Sequence, residues 1–332
     1  MQDNKLSSSP QKKSPLVSFI VTYHDEPIDL LCECLDSIFA LSLPAEDMEV
    51  ILVDDGSKHS PLAALGEVAE QLIYVRQPNR GLSEARNMGM GMASGLWLQL
   101  IDADDRLITP VYETCLDYAR YRKVDIVSFL FTRVPTDSSI NYDSPLQPIS
   151  GAQVLHTTNL RASACCYLFR KDILGELRFR PDIYHEDEEF TPQLLLRAEQ
   201  VQMTEQKAYY YRRRDNSITT SNDLKKQLRR LNDKKSIILR LRTLSDTLPI
   251  EERVALQRRV AQLTMDYIYN IILETKSSNY LKRELKELTQ LGLFPLPKKD
   301  YTMKYKWFQR LSANDFGLQA LRLLLPLIKK EQ

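Results

Sequence analysis

Three carboxylates, Asp102, Asp104 and Asp105, crowd the end of the apolar run LWLQLID at 96–102. Like charges this close repel one another, and each is hard to desolvate. A chain that keeps them together at the mouth of a strand has something positive to place there. A hard divalent cation fits, because carboxylates bind the ion and the ion binds phosphate oxygens. A second acidic knot, HEDEEF at 185–190, sets Glu186, Asp187, Glu188 and Glu189 in a row. Its plainer reading is a helix N-terminus, which favours acids at that end of the dipole. Two further polar stretches, TYHDE at 22–26 and DDGS at 54–57, also follow apolar runs. Any one of these is an ordinary turn, since Asp, Ser and Gly are turn residues. Acidic turns after three strands of one sheet point instead to a site.

The elements that must position them are legible. Five short apolar runs, at 16–23, 49–55, 72–76, 96–102 and 124–131, are rich in β-branched and aromatic residues. Their near-continuous apolarity suits strands covered on both faces. Helix patterns fall between them. Pro27 opens a stripe of Ile28, Leu31, Leu35, Ile38 and Phe39, and Pro61 opens another through Leu62, Leu65, Val68 and Leu72. Ala85, Met88 and Met92 mark a third, with Gly95 as its stop, and Thr109-Pro110 begins a fourth. Strand and helix alternate, which predicts an α/β, Rossmann-like, mostly parallel sheet with right-handed crossovers. Ligands in such sheets bind outside the carboxyl ends of the strands, where these acidic turns stand.

Composition excludes several classes. Of 332 residues, 45 are Lys or Arg and 44 are Asp or Glu, so overall charge gives no case for nucleic acid. The five cysteines have no CxxC pair and no metal-ligand spacing with the four histidines, which reads as free thiols in a reducing compartment. Residues 1–14 read as a disordered lead without an apolar core, hence not a signal peptide. No run of 18 apolar residues is long enough to span a bilayer. Neither GxGxxG nor GxxxxGK[ST] occurs, which disfavours a dinucleotide fold and a P-loop.

In order along the chain, SFIVTYHDE, VILVDDGS, NRGLSEARNMGM, LQLIDADDRL, HEDEEF and YYYRRRDNSIT resemble the successive motifs of GT-A glycosyltransferases of family 2. The resemblance covers residues 15–220, read as a catalytic domain. It implies a nucleotide-diphospho-sugar donor, a UDP-sugar above others, and a hydroxyl acceptor. Thr22, Tyr23 and Glu26 stand where the first loop wraps the base. His24 departs from the asparagine common at its position. Asp55, with Asp54 beside it, matches the carboxylate that accepts from the uracil N3–H. Asn79, Gly81 and Arg86 match the segment that closes over base, ribose and phosphate. Asp102 resembles the ribose and donor-sugar contact, Asp104 the direct ligand of Mn²⁺ or Mg²⁺, with Asp102 beside it, and Asp105 a donor-sugar or outlying contact. Asp187 matches the catalytic base and Glu186 its acidic neighbour. Arg212 and Arg214 could reach the leaving diphosphate, since guanidinium suits phosphate. The implied reaction is a single inverting displacement. A tryptophan that relatives carry near Ala164–Cys166 is missing, and Cys165 and Cys166 read as packing residues.

Residues 221–332 read as helical. Residues 224–242 hold eight Lys or Arg and one acid, and the last stretch, YKWFQRLSANDFGLQALRLLLPLIKK, is amphipathic. One reading is an appendage packed on the catalytic domain. The other is peripheral contact with anionic membrane, at its cytoplasmic face, where a lipid-linked acceptor would be found alongside a glycan one. Three competing classes are open at this point. A haloacid-dehalogenase-type phosphatase wants its DxD near the first strand, whereas here it follows the fourth. A glycoside hydrolase could use Asp104 and Asp187 as paired carboxylates. A non-catalytic nucleotide-sugar-binding scaffold could keep the fold alone.

Overall fold

A computed structural model describes residues 14–135, 140, 146–213 and 223–328. Eight strands form one sheet in the order β3-β2-β1-β4-β7-β6-β8-β5. The strands are β1 (Val17–Tyr23), β2 (Met48–Asp54), β3 (Ile73–Arg76), β4 (Trp97–Asp102), β5 (Arg106–Leu107), β6 (Ile126–Thr132), β7 (Tyr167–Arg170) and β8 (Val201–Tyr210). The five predicted strands are β1 to β4 and β6. β1 pairs in parallel with β2 and β4, and β2 with β3. All of β1 is buried, as its unbroken apolar run requires.

The sheet departs from the mostly parallel expectation beyond β4. There β7 enters antiparallel to both β4 and β6. β6 still runs in the same sense as β4, and β8 lies parallel to it. The two-residue β5 closes the far edge antiparallel to β8. The result is a mixed sheet.

Helices α1 (Ile28–Phe39), α2 (Leu62–Leu65), α3 (Leu82–Met92) and α4 (Thr109–Tyr121) are the four read from the sequence. The second is much shorter than its stripe. Gly66 takes φ +55°, which ends the helix, and a 3₁₀ stretch carries the chain to β3. Gly95 lies just past α3 rather than stopping it, with Ala93 as the C-cap. Two later helices complete the catalytic half: α5 (Gly151–Thr157) and α6 (Glu186–Leu195), the latter beginning at the HEDEEF acids.

From residue 224 onward the chain is helical, as expected: α7 (Leu224–Thr247), α8 (Ile250–Asn270), α9 (Ser278–Gln290), α10 (Met303–Ser312) and α11 (Asp315–Ile328). They enclose a second core around Ile237, Leu241, Tyr267, Leu288 and Phe308. The basic run on α7 is paired in part, although Lys225, Lys226 and Arg240 are exposed. Lys235 pairs with Glu284 at 2.9 Å and Glu287 at 2.6 Å, and Arg240 pairs with Glu189 of α6 at 2.9 Å. α8 reaches the other way. Arg258 donates to the Leu155 carbonyl at 2.8 Å, and Arg259 to Leu160 O at 2.9 Å and to the Glu188 carboxylate. The C-terminal helices therefore grip α6, the helix that carries Asp187.

Candidate active site

The acidic turn after β4 is built from both sides. Asp102 ends the strand with its side chain 30% exposed, and the Thr22 hydroxyl donates to its Oδ1 at 3.5 Å. Asp104 is half-buried on the turn, where its carbonyl accepts from Arg212 Nε at 3.0 Å. Asp105 points the other way. It is 2% exposed, and its carboxylate accepts from Tyr209 Oη at 2.9 Å and the Arg212 N–H at 2.8 Å. Burial first, then the Asp102 charge, pushes its pKa up to about 8. Of the two roles expected for Asp105 this geometry answers to the outlying one: it pins the turn to the end of β8 from beneath. Arg212 is itself tied down, with its guanidinium paired to Glu33 and stacked over Tyr210. Arg214 lies outside the described residues.

Arg86 sits on α3 and is 4% exposed. Its Nη2 bonds Asp102 Oδ1 at 2.9 Å, and its Nη1 bonds Glu186 Oε1 at 2.7 Å. The guanidinium also lies 5.4 Å from the Phe179 ring centroid. One buried cation thus joins the acidic turn after β4 to the acidic start of α6. Without it those carboxylates would repel across a low-dielectric gap.

The first loop and the 77–81 loop are organised around Asp54 and Asp55. Asp54 is fully buried and accepts from Ser57 N at 2.8 Å and Tyr74 Oη at 2.7 Å. Burial pushes its carboxyl upward, but Ser57, Tyr74 and Arg76 outweigh that and hold it below the usual range. This makes Asp54 a structural anchor and corrects its expected place among donor contacts. Asp55 is 5% exposed and accepts from Gln77 Nε2 at 2.7 Å, Arg80 N at 2.9 Å and Gly81 N at 2.8 Å. It therefore builds the loop that contains Asn79 and Gly81. Gly56 has no substitute here: φ is +76°, and an added Cβ would stand 2.4 Å from Asn79 N. His24 joins the two loops, with Nδ1 2.9 Å from Asp55 O and Nε2 3.1 Å from Asn79 Nδ2. Glu26 accepts from the His24 N–H. Thr22 and Tyr23 are 6% and 7% exposed at the end of β1.

A cleft of about 800 Å³ lies between the 79–84 and 181–187 segments, with Arg229 of α7 at its rim. The N-termini of α3 and α6 both open on it, and the acids Glu84, Asp182, Glu186 and Asp187 line it beside Arg80 and Arg229. Glu186 and Asp187 line the α6 side. The Asp187 carboxyl is held well above the ordinary range, by burial first and then by the Glu186 and Glu188 charges, with Arg86 opposing. His185 caps the helix at φ +64°. Burial, with Lys234 and Arg230 nearby, lowers its pKa to about 4, so it is neutral at physiological pH.

Several site residues were given no role by the motifs. Tyr209, the first residue of YYYRRRDNSIT, holds Asp105 and accepts from the Asp102 N–H at 3.3 Å. Phe179 stacks on Phe190 at 3.8 Å beneath Arg86, and Glu33 restrains Arg212. Each becomes visible only when distant segments meet. Among the described residues no group of three or more His, Cys, Asp or Glu side chains forms a ready-made metal cage. The donor set at Asp102 and Asp104 fits Mg²⁺ or Mn²⁺ all the same. Such ions are held by one or two carboxylates, with water and substrate phosphate completing the shell.

Residues 18–178 match the family described as glycosyl transferase family 2. An uncharacterized glycosyltransferase, EpsJ of Bacillus subtilis, is 31% identical over 225 residues, which is 62% of this chain and 63% of EpsJ. The chain thus spans under two thirds of that relative's length. Staphylococcus aureus TarS 1–349 in complex with UDP-GlcNAc superposes with TM-score 0.58 at 17% identity, covering 89% of this chain and 91% of that one. The mannosyltransferase PcManGT of Pyrobaculum calidifontis, in complex with GDP-Man and Mn²⁺, gives 0.56 at 17% identity, covering 98% and 90%. Residues 18–178 are thus similar to family 2 glycosyltransferases, on a GT-A fold shared with those two structures and followed by a helical region.

Proposed function

We propose that this chain is an inverting glycosyltransferase that moves a sugar from a UDP-sugar to a hydroxyl of a growing polysaccharide or lipid-linked glycan. The observation that carries the reading is the Arg86 bridge. It sets the carboxylates of the acidic turn and those of α6 in one frame, as a reaction between a donor and an acceptor requires. The base and ribose go to the loops built by Thr22, Tyr23, Glu26, Asp55, Asn79 and Gly81. Asp102 and Asp104 would hold Mn²⁺ or Mg²⁺, which supplies positive charge for the departing diphosphate. Arg212 stands at the edge of that turn. Asp187 takes the proton from the acceptor oxygen as that oxygen bonds to the anomeric carbon, and the bond from that carbon to the diphosphate breaks. Burial and the Glu186 and Glu188 charges raise its affinity for a proton, which suits a group that must take one.

The domain boundary near residue 220 and a cytoplasmic location belong to the same reading. So does peripheral membrane contact through α11, whose Phe316, Leu323 and Leu327 are 84%, 72% and 60% exposed. No helix among the described residues is long and apolar enough to cross a membrane. Co-sedimentation with anionic and neutral liposomes tests the contact, and equal binding to both would rule it out.

The transferase reading is tested by a thermal-shift screen of UDP-, GDP-, CMP- and dTDP-sugars with Mn²⁺. A ligand at 100 times its Kd adds ~2.7 kcal/mol to stability. A UDP-sugar should give the largest shift, and no shift with any donor would defeat the proposal. Product formation from the winning donor separates an enzyme from a binding scaffold or a glycoside hydrolase.

A further inference from the structure

A second cavity, of about 390 Å³, lies against the second half of α6, between that helix, α5, β6, β7 and β8. Its wall is apolar, made by Phe129, Val154, Leu160, Leu194 and Met203 among others. Thr191, one helical turn after Asp187, lies against it and pairs with Tyr167 Oη at 3.0 Å. The mouth is different in kind. The Arg161 guanidinium lies 4.4 Å from the Phe131 ring centroid. Arg133, just outside the lining, lies 5.8 Å from the same ring and 5.6 Å from Tyr211. Among the described residues neither arginine has a carboxylate at ion-pair distance. Tyr211 precedes Arg212, which contacts the acidic turn at Asp104 and Asp105 and so links this side of the sheet to the candidate donor platform through the chain.

An interior of this kind favours apolar groups over water, and its volume lies in the range of small-ligand sites. A free sugar would find few hydrogen-bond partners on that wall. A neutral hydrocarbon would leave the rim arginines unused. An amphiphile satisfies both ends, with its chain inside and an anionic head against guanidinium, which suits phosphate. We propose that this cavity receives the apolar chain of a lipid-phosphate-linked glycan, whose phosphate is held by Arg161 with Arg133 beside it while a hydroxyl of the glycan is the acceptor. This rests on the transferase reading and names the acceptor class for that same site.

Calorimetry on the full chain with octyl phosphate, octanol and inorganic phosphate tests it, with UDP–Mn²⁺ binding measured separately for each variant. Wild type should bind octyl phosphate at least tenfold more tightly than either of the other probes. Met203→Trp fills the cavity from its half-buried rim and should weaken octyl phosphate at least tenfold. Thr158→Trp, on a separate segment of the wall, repeats that test in case Met203→Trp fails to fold. Arg161→Ala should bring octyl phosphate to within threefold of octanol. All three variants should bind UDP–Mn²⁺ as wild type does. Octyl phosphate binding no tighter than inorganic phosphate, or unchanged in both tryptophan variants, overturns the proposal. Wild-type protein that binds octyl phosphate through these residues yet no UDP–Mn²⁺ refutes the donor reading, and the acceptor role with it.

Discussion

Replacing Arg86 with methionine removes one cation and strands two carboxylates. Arg86 is 4% exposed and holds Glu186 at 2.7 Å and Asp102 at 2.9 Å. Removing one partner of a buried ion pair costs about 3–5 kcal/mol, because the other charge is left uncompensated. The two halves differ here. The Glu186 side chain is 13% exposed and the Asp102 side chain 30%, so water screens Asp102 more effectively. The sum therefore falls at the low end, about 3 kcal/mol. At 2–4 °C per kcal/mol this lowers Tm by roughly 6–12 °C. Differential scanning calorimetry of Arg86→Met, Glu186→Gln and the double variant checks the cause as well as the size. Once Glu186 is neutral, losing Arg86 should cost less, giving a coupling of about 0.5–3 kcal/mol. A Tm within about 1 °C of wild type for Arg86→Met, or fully additive single effects, would refute the reasoning.

Three further outcomes follow from the same geometry. EDTA should abolish transfer and Mn²⁺ or Mg²⁺ should restore it, because Asp102 and Asp104 cannot otherwise sit against a diphosphate; full activity in chelator would contradict this. The acid limb of kcat/KM should lie well above the ordinary carboxylate value of about 3.9, since burial and two acidic neighbours keep the proton on Asp187. The folded state then holds a proton that the unfolded chain has released, so stability falls as pH rises through the raised pKa, and Asp187→Asn should flatten that slope in pH-dependent melts. Arg259→Met leaves Glu188 unpaired beside Asp187 and should move the acid limb further upward, whereas a purely structural Arg259 would leave its position unchanged.

Much of this was readable along the chain, and what was hidden shares a physical cause. The five apolar strands and the helices after Pro27 and Thr109 declare themselves by local pattern, within a residue or two of the observed bounds. β8 escaped notice because VQMTEQKAYY is half-buried and interrupted by polar residues. β7, four residues long, lies inside a stretch without turn signals, and its antiparallel entry cannot be read from composition. The motifs fall on segments that meet at the ends of the strands, but motif position does not reveal which way a side chain faces. Asp104 and Asp105 are adjacent, yet one is half-buried at the turn and the other is fastened beneath it. The bridge made by Arg86 was hidden because its partner Glu186 is 100 residues distant. The basic run on α7 left packing and membrane contact both open because the acids that pair with it come from α6 and α9.

The central claim is a division of labour between Asp187 and Asp104, and calorimetric UDP–Mn²⁺ binding measured beside product formation tests it most directly. A general base contributes ~10²–10⁴-fold to rate and little to donor affinity. A metal ligand contributes to both. Asp187→Asn should therefore bind UDP–Mn²⁺ as wild type does while transfer falls by at least about 10²-fold, and Asp104→Asn should lose both. Wild-type turnover in Asp187→Asn, or wild-type UDP–Mn²⁺ affinity in Asp104→Asn, would contradict the account.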